Sequence, residues 1–437
     1  MRNDQVQTFC RFFKNEEGAA TIFSMFMLAM TLMMGGLAVD VMNLIQQRQQ
    51  LQVTADAAAH AALYSRDSMD EEDAIEKALL VAAGNMPDGK YGTVIEDEDV
   101  VFGTWDYDTN TFTEVEHSRS AVMVTTRQTA ENGNAISTFL LKLAGLTSWS
   151  LERQSVFTTY HPPCFREGFV AQDVVDLQSG NTYSNGFCIH SNGYVSLNSN
   201  NYFEAGTVVS MPDMTQIDLP QSGMETNEGL EAALRYGRYN IRILNQLPGI
   251  IVDLYDPASD EQPDYITSDQ VNMLTGNSIE QDDLVPNAVN MMSCSGGNQV
   301  NIKSGTEFRN IVFVSNCKLK FESGVSLENA VIATSNTDTK SINSPSGLRL
   351  GRDDGCATGG GAQLLTLGGV DVASDLQVYG SQILALKDIQ FSANANGVEG
   401  ASMVSGSTIS GTSNMSMGFC GGGMDNSFQA EYFRMVG

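Results

Sequence analysis

Basic residues are scarce. Only 24 Lys and Arg stand against 52 Asp and Glu in 437 residues, a formal net charge of -28. A chain without a basic stripe has no face for phosphate backbones, which excludes a protein whose main work is gripping nucleic acid. Histidine is scarcer still: His60, His117, His161 and His190 are scattered without metal-ligand spacing, and no CxxC motif occurs. Zinc binding and thiol redox chemistry therefore lack their ligands, and a Ser-His-Asp triad has no support. Proline, at 10 residues, is too rare for collagen, while 41 glycines among stretches of Asn, Ser and Thr favour β-rich structure with tight turns. An apolar share of 42% excludes disorder throughout, and the length predicts two or three folded units.

Charge is missing altogether from residues 19–39, AATIFSMFMLAMTLMMGGLAV. That run is long enough for a helix to cross roughly 30 Å of hydrocarbon. Arg2, Arg11 and Lys14 precede it, whereas residues 40–59 hold only Arg48. The positive-inside rule then predicts a cytoplasmic tail at 1–18, a single transmembrane helix at 19–39 and export of everything beyond. The alternative is a cleaved signal peptide with Gly36-Leu37-Ala38 as its small-residue site, although the run exceeds the usual apolar core of about 7–15 residues. Gly35-Gly36 leaves room for another helix to approach closely.

Of seven cysteines, Cys10 lies before the span and six lie beyond it: Cys164, Cys188, Cys294, Cys317, Cys356 and Cys420. An even number in an oxidising compartment suggests up to three disulfides, for which fifteen pairings exist. Proximity favours Cys164 with Cys188 and Cys294 with Cys317, leaving Cys356 with Cys420.

After the span the helix continues without Pro or Gly through residues 40–64, with Val41, Leu44, Arg48, Leu51, Ala55, Ala58 and Ala62 near one face. A second helix is expected over 71–84, stopped by Gly84 and Pro87. Short alternating segments at 94–105, 111–115 and 121–127 suit a small antiparallel sheet, with a helix at 135–146 and a closing strand at 148–160.

Several of these residues carry a resemblance. A tail ending in Glu17-Gly18-Ala19, an apolar span closing with Gly36-Leu37-Ala38-Val39-Asp40, then Arg48, Leu51-Gln52 and Ala55-Asp56-Ala57-Ala58-Ala59, resembles the TadE/TadG-like proteins of the Tad (Flp) pilus system. The stretch from Val101-Phe102-Gly103-Thr104-Trp105-Asp106 to Phe112 and Ala121-Val122-Met123-Val124 is similar to the small periplasmic domain that follows in many members. The resemblance covers residues 16–160, about a third of the chain. It implies a bacterial inner-membrane, single-pass accessory protein of pilus assembly, with other Tad/Flp proteins or pilin subunits as partners. Pilin-like members cut after the glycine have Glu five residues on; here Gly18-Ala19 would be the processing site, but that position is Phe23, so a retained anchor is implied. Larger TadG-like members carry a von Willebrand A-type domain with an Asp-x-Ser-x-Ser metal site. The nearest stretch, Asp176-Leu177-Gln178-Ser179-Gly180, lacks both required hydroxyls, so that domain is not expected.

The double proline in Tyr160-His161-Pro162-Pro163 marks a boundary, giving a stalk and small α+β domain at 40–160 and a large β-rich domain at 161–437. A helical insertion is expected at about 212–290, with an amphipathic helix over 229–247 stopped by Pro248. Beyond Asn298 the sequence repeats itself. Val300-Asn-Ile302-Lys-Ser304-Gly305 and the following Phe308-Arg-Asn310-Ile-Val312-Phe313-Val314-Ser315 recur as Leu319-Lys-Phe321-Glu-Ser323-Gly324 and Leu327-Glu-Asn329-Ala-Val331-Ile332-Ala333-Thr334. The unit at Val195-Ser-Leu197-Asn-Ser199-Asn200 fits the same template, and Leu376-Gln-Val378 and Ile389-Gln-Phe391 could add more. A period near twenty with inward aliphatics is what a parallel β-helix, or β-solenoid, requires. A β-sandwich with similar turn spacing is the alternative.

No catalytic, cofactor-binding or metal-binding residue emerges. Asp353-Asp354, Asp282-Asp283 and Glu96-Asp97-Glu98-Asp99 could act as acid/base pairs or calcium ligands, but read better as solvated surface. Asp106-Tyr-Asp108-Thr-Asn110 begins like a calcium loop and then fails, with Thr111 for Gly and His117 for Glu. Gly359-Gly360-Gly361 and Gly421-Gly422-Gly423 lack the Lys-Ser/Thr of a phosphate loop. The expected protein is thus a non-enzymatic, membrane-anchored pilus-assembly accessory supporting biogenesis and adhesion. Alternatives are a membrane-tethered polysaccharide-binding or polysaccharide-cleaving β-helix protein, and a minor pilin or surface adhesin.

Overall fold

The computed structural model describes residues 17–437 except 297, 412, 422, 423 and 425. Most of the expected tail, with Arg2, Cys10, Arg11 and Lys14, and the glycines Gly422 and Gly423 lie outside the described residues. Two compact units result: one comprises Met1–Tyr160 with Glu431–Gly437, the other His161–Ala430.

The first unit is organised by α1 (Glu17–Arg66), a single helix of 50 residues. Residues 20–39 of it carry no charge and, Gly36 apart, are exposed, and one segment is long and apolar enough to cross a membrane. One face of its second half is buried, because Leu51, Ala58, Ala59 and Ala62 pack against α2 (Glu71–Asn85) and a sheet. Asp70 starts α2 by accepting the Asp73 N–H at 3.0 Å, a standard N-cap, and Ala74, Ala78 and Ala82 give a smooth face that lets the two helices approach closely. The sheet is antiparallel and contains β1 (Val100–Asp106), β2 (Thr111–Glu114), β3 (Ala121–Gln128) and β4 (Leu151–Tyr160) in the order β2-β1-β3-β4.

Two expectations fail here. Residues 135–146 form no α-helix; Ile136–Ser137 pairs with Ser148–Trp149 around a single 3-10 turn at Leu141–Ala144. The large domain also ends before the expected 437, because Tyr432–Met435 returns to this unit as a fifth strand antiparallel to Phe157–Tyr160. A four-residue edge strand carries too little pattern to be assigned to a distant sheet from sequence.

The second unit is a 22-stranded sheet in which every pairing is parallel, whereas a sandwich is built of antiparallel pairs. The pairings form three ladders. In the first, Phe169, Ile189 and Val209 stack in register, as do Phe313, Ile332, Leu364, Ile383 and Met403. A second joins Val300, Leu319 and Ile342, and a third joins Phe308, Leu327 and Leu350. Inward side chains from all three belong to one continuous core. Positive-φ residues turn the chain between ladders: Gly305 and Gly324 at φ 77° and 78°, and Asn200 at 63° where the same template ends in Asn. Asn is the residue besides Gly that tolerates this conformation best.

The order of the rungs is not the order of the chain. Residues 168–236 form one arc, stacking outward from Gly168–Ala171 to Leu234–Tyr236. Residues 272–417 form a second arc that begins at its far end and stacks back until Ser402–Ser405 pairs with Gly168–Ala171. Ten successive pairings separate the two ends of the first ladder, a length of about 48 Å at the ordinary strand spacing. Residues 237–271 cover that distance as a crossover holding α3 (Arg242–Asp253). Its Ile243, Leu247 and Ile251 pack on the outer face of the first ladder against Val312, Val331, Leu365 and Val404. Strands there are buried on both faces, which is why Ile-Val-Phe-Val and Ala-Val-Ile-Ala read as continuous apolar runs while Gln-Val-Asn-Ile alternates.

The helical insertion is accordingly smaller than the expected 212–290, since Leu234–Tyr236, Asn272–Leu274 and Ala288–Met292 are all strands of the sheet. The expected helix at 229–247 is instead a short turn at Leu230–Ala233 followed by a strand and then α3, with Pro248 inside α3 rather than ending it. Burial of the apolar stripe on the ladder offsets the backbone hydrogen bond that Pro248 cannot donate.

The permutation has a topological consequence. The unit enters beside Ser402, whose hydroxyl donates to the Phe165 carbonyl at 2.8 Å, and leaves beside Gln382, whose amide makes two 3.0 Å bonds with the Phe428 backbone. Both ends therefore sit on adjacent rungs in mid-stack, so the whole unit fits into the chain between Tyr160 and Tyr432, which pair across adjacent strands.

Candidate functional site

The apolar half of α1 ends at Asp40. This carboxylate is only 1% exposed and accepts three backbone N–H groups, from Phe139 at 2.6 Å, Leu140 at 3.0 Å and Leu141 at 2.7 Å. Those amides open the 3-10 turn and point together, so the helix carboxylate closes what would otherwise be three unpaired donors. One turn earlier, a Cβ placed on Gly36 would lie 2.6 Å from the Leu140 Cβ. The close approach that Gly36 permits is thus made by a loop of the same unit and not, as expected, by another helix. Gly18 and Ala19 lie within α1.

All six cysteines beyond α1 are paired: Cys164–Cys188, Cys294–Cys317 and Cys356–Cys420, with Cα separations of 4.9, 5.3 and 5.6 Å. Glu399 lies beside the Cys356 and Cys420 sulfurs. Both sulfurs are committed to a disulfide, so this trio offers no thiolate to a metal. Nearby, Glu167 accepts the Cys420 and Gly421 N–H groups at 2.6 Å each; burial pushes its carboxyl above the usual range, against those two hydrogen bonds.

At least one member of each other acidic group serves as a cap or ion-pair partner. Asp354 is bound to Arg352 at 2.6 Å and accepts the Ala357 N–H. Asp283 accepts the Glu280 N–H, and Asp99 pairs with Arg127 while capping Glu96. Asp106 holds the Asp108 and Thr109 N–H groups in a turn. Asp176 stands on an outward column of the second ladder, where burial and then the negative charge of Asp218 raise its carboxyl, and Ser196 donates to Asp218 at 2.9 Å.

One cluster was not anticipated. His190 Nδ1 lies 2.7 Å from Ser210 Oγ and His190 Nε2 lies 3.1 Å from Asn192 Oδ1, the order of groups found in acyl-transfer triads. His190 is fully buried and Ser210 is 2% exposed, with the Tyr239 ring edge-on at 4.3 Å. Burial pushes the imidazole down to about 4, the Asn192 hydrogen bond opposing it. Asn192 also accepts the Tyr239 N–H at 3.0 Å and donates to its carbonyl at 2.7 Å. The cluster therefore pins the start of the crossover to the first arc and is closed to substrate. The signal was a rung length of twenty, which places His190 directly on Ser210.

Comparison with known families divides the chain as the structure does. The model of the TadE/G-like Flp pilus-assembly domain matches residues 18–67, coinciding with α1. A second model, described as a domain of unknown function (DUF7867), matches residues 168–421, from the first strand of the parallel sheet to the residue after Cys420. That match covers more than half of the chain, which belongs to the DUF7867 family and carries a TadE/G-like domain ahead of it. No curated protein and no solved structure matches the chain.

Proposed function

We propose that this chain is a membrane-anchored structural protein of a Tad/Flp-type pilus machine in a bacterial inner membrane. Residues 19–39 cross the bilayer, the tail stays in the cytoplasm, and residues 40–437 stand in the periplasm. The observation that carries the reading is the TadE/G-like match on a helix whose first half is apolar and exposed and whose second half is locked into its own domain. Such a helix transmits a fixed position from the membrane to an exported domain. Three cystines beyond the helix fit an oxidising compartment.

The DUF7867 region is, in this reading, a parallel β-solenoid. Three parallel ladders around one core and a recurring step near twenty support it. Its role in this reading is to bind rather than to catalyse, offering stacked side-chain columns to pilus-assembly proteins or pilin subunits. Deleting the chain and counting surface filaments by electron microscopy tests the function. Loss of filaments is expected. Intact filaments with lost adhesion would overturn the assembly role in favour of an adhesin. Intact mass of the membrane-extracted chain separately tests the retained anchor: residues 1–18 present support it, and a start at Ala19 would make the protein a pilus subunit.

A further inference from the structure

The loop clasped by Asp40 carries an apolar surface that the described residues leave largely uncovered. Phe139, Leu140, Leu143 and Leu146 are 56%, 43%, 83% and 51% exposed. The loop is not loose: Ile136–Ser137 pairs with Ser148–Trp149 at its base, Thr138 donates to the Thr147 carbonyl at 3.1 Å, and the 3-10 turn holds its tip. A braced loop that presents four large apolar side chains to water costs stability unless something covers them.

Its position says what does. Leu140 packs on Gly36, which lies four residues inside the charge-free run, while Asp40 at the end of the run fixes the loop backbone. A helix rises about 6 Å over those four residues, so the apolar tip lies alongside the last turn of the membrane-crossing segment. Lys142, the one charge on the loop, is exposed between these leucines. An apolar wedge with one lysine able to reach outward is the composition of a bilayer interface, where the chains bury in the acyl boundary and the ammonium meets lipid phosphate.

We propose that residues 139–146 form a second membrane contact, inserted into the interface of the leaflet on the side of the exported domains, with lipid as the occupant. The assignment rests on the reading of residues 19–39 as a membrane span. Together with that span it would give the anchor two points of attachment and so fix the rotation of α1 about its axis, which a lone helix leaves free.

Depth-dependent quenching tests this. The full chain is reconstituted in phosphatidylcholine vesicles brominated near the top of the acyl chains, and Leu143→Trp and Phe26→Trp are each compared with the parent, whose Trp105 and Trp149 set the background. Both replaced side chains are exposed, so neither change disturbs the core. The expected result is that both variants lose more emission to bromine than the parent does, with Leu143→Trp also blue-shifted. Quenching of Phe26→Trp alone would overturn the loop insertion and leave the span standing. Quenching of neither would overturn the span, and the loop contact with it. A blue-shifted Leu143→Trp that bromine does not reach, accompanied by crosslinking between chains, would assign the patch to a second copy and overturn the lipid contact.

Discussion

The two arcs of the parallel sheet follow one rule with different material. In the first arc the first three rungs keep a regular step: Phe169, Ile189 and Val209 stack at intervals of twenty, and the Asn201 side chain accepts the Asn181 N–H across the same interval. In the second the step is uneven, with Val312 stacking on Val331 but Val331 on Gln363, because the loop carrying Cys356 intervenes. A rung is therefore defined by what it stacks on rather than by its length. Since each rung touches only its neighbours, the chain can enter at any level, and the seam between Ser402–Ser405 and Gly168–Ala171 is built as any other rung.

The strongest way to break this equivalence is at Phe169, whose ring meets Phe187 of the first arc at 5.1 Å and Phe391 of the second at 5.6 Å. Phe169→Ala should cost about 3–5 kcal/mol, as should Phe321→Ala inside the second arc. Urea unfolding followed by circular dichroism should show a single transition in both variants. Two transitions in Phe169→Ala alone would show that the arcs are separate folding units joined weakly.

Next in size are the cystines. Replacing Cys356 and Cys420 by Ser, which opens a sequence separation of 64, should cost about 2–4 kcal/mol and more than replacing Cys294 and Cys317, separated by 23. Equal losses in thermal denaturation would mean that stacking already fixes the longer segment in the unfolded ensemble.

His190 sharpens the comparison through pH. Its folded-state value is pushed down to about 4, so on acidification the unfolded chain takes up a proton before the native one does. The contribution is fully present above the unfolded value near 6.5 and is lost as pH falls toward 4. Between pH 7 and pH 5 the first arc should lose about 2 kcal/mol. Denaturant titrations at both pH values should show that loss in the parent and much less of it in His190→Gln.

What the sequence discloses and what it hides follow from the range of the contacts. The charge-free run, the nineteen-residue repeat at Val300 and Leu319, and the turns at Gly305 and Gly324 are local patterns, and the structure places each of them in a matching element. The pairing of neighbouring cysteines is local as well. The seam is not, because nothing at Gly168 names Ser402 as its partner; that choice emerges only when both arcs and the crossover compete to cover the same core. His190 and Ser210 were hidden for a milder reason. They are one rung apart, so their contact becomes readable once the step of twenty is known. The apolar loop at 139–146 falls within the helix expected over 135–146, but Gly145 at φ 91° and the pairing across its base close it instead.

The smallest effect is the most direct test of the seam. An asparagine ladder runs through it: Asn227 Oδ1 accepts the Asn201 N–H at 2.9 Å, Asn201 Oδ1 the Asn181 N–H at 2.9 Å, and Asn181 Oδ1 the Met415 N–H at 3.0 Å. All three asparagines are nearly fully buried. Asn201→Ala removes a step within the first arc, and Asn181→Ala removes the step joining the arcs. Each leaves one buried N–H without its acceptor and takes one Nδ2 donor from a backbone carbonyl, Gln178 for Asn181 and Asn198 for Asn201, so each should cost about 1 kcal/mol. If the seam is an ordinary rung, the two losses will be equal and the Met415 amide will exchange with solvent no faster in the parent than the Asn181 amide. A clearly smaller loss for Asn181→Ala, with fast exchange at Met415 already in the parent, would show that the arcs meet without locking, and that the ends of the inserted unit are held together by the crossover instead.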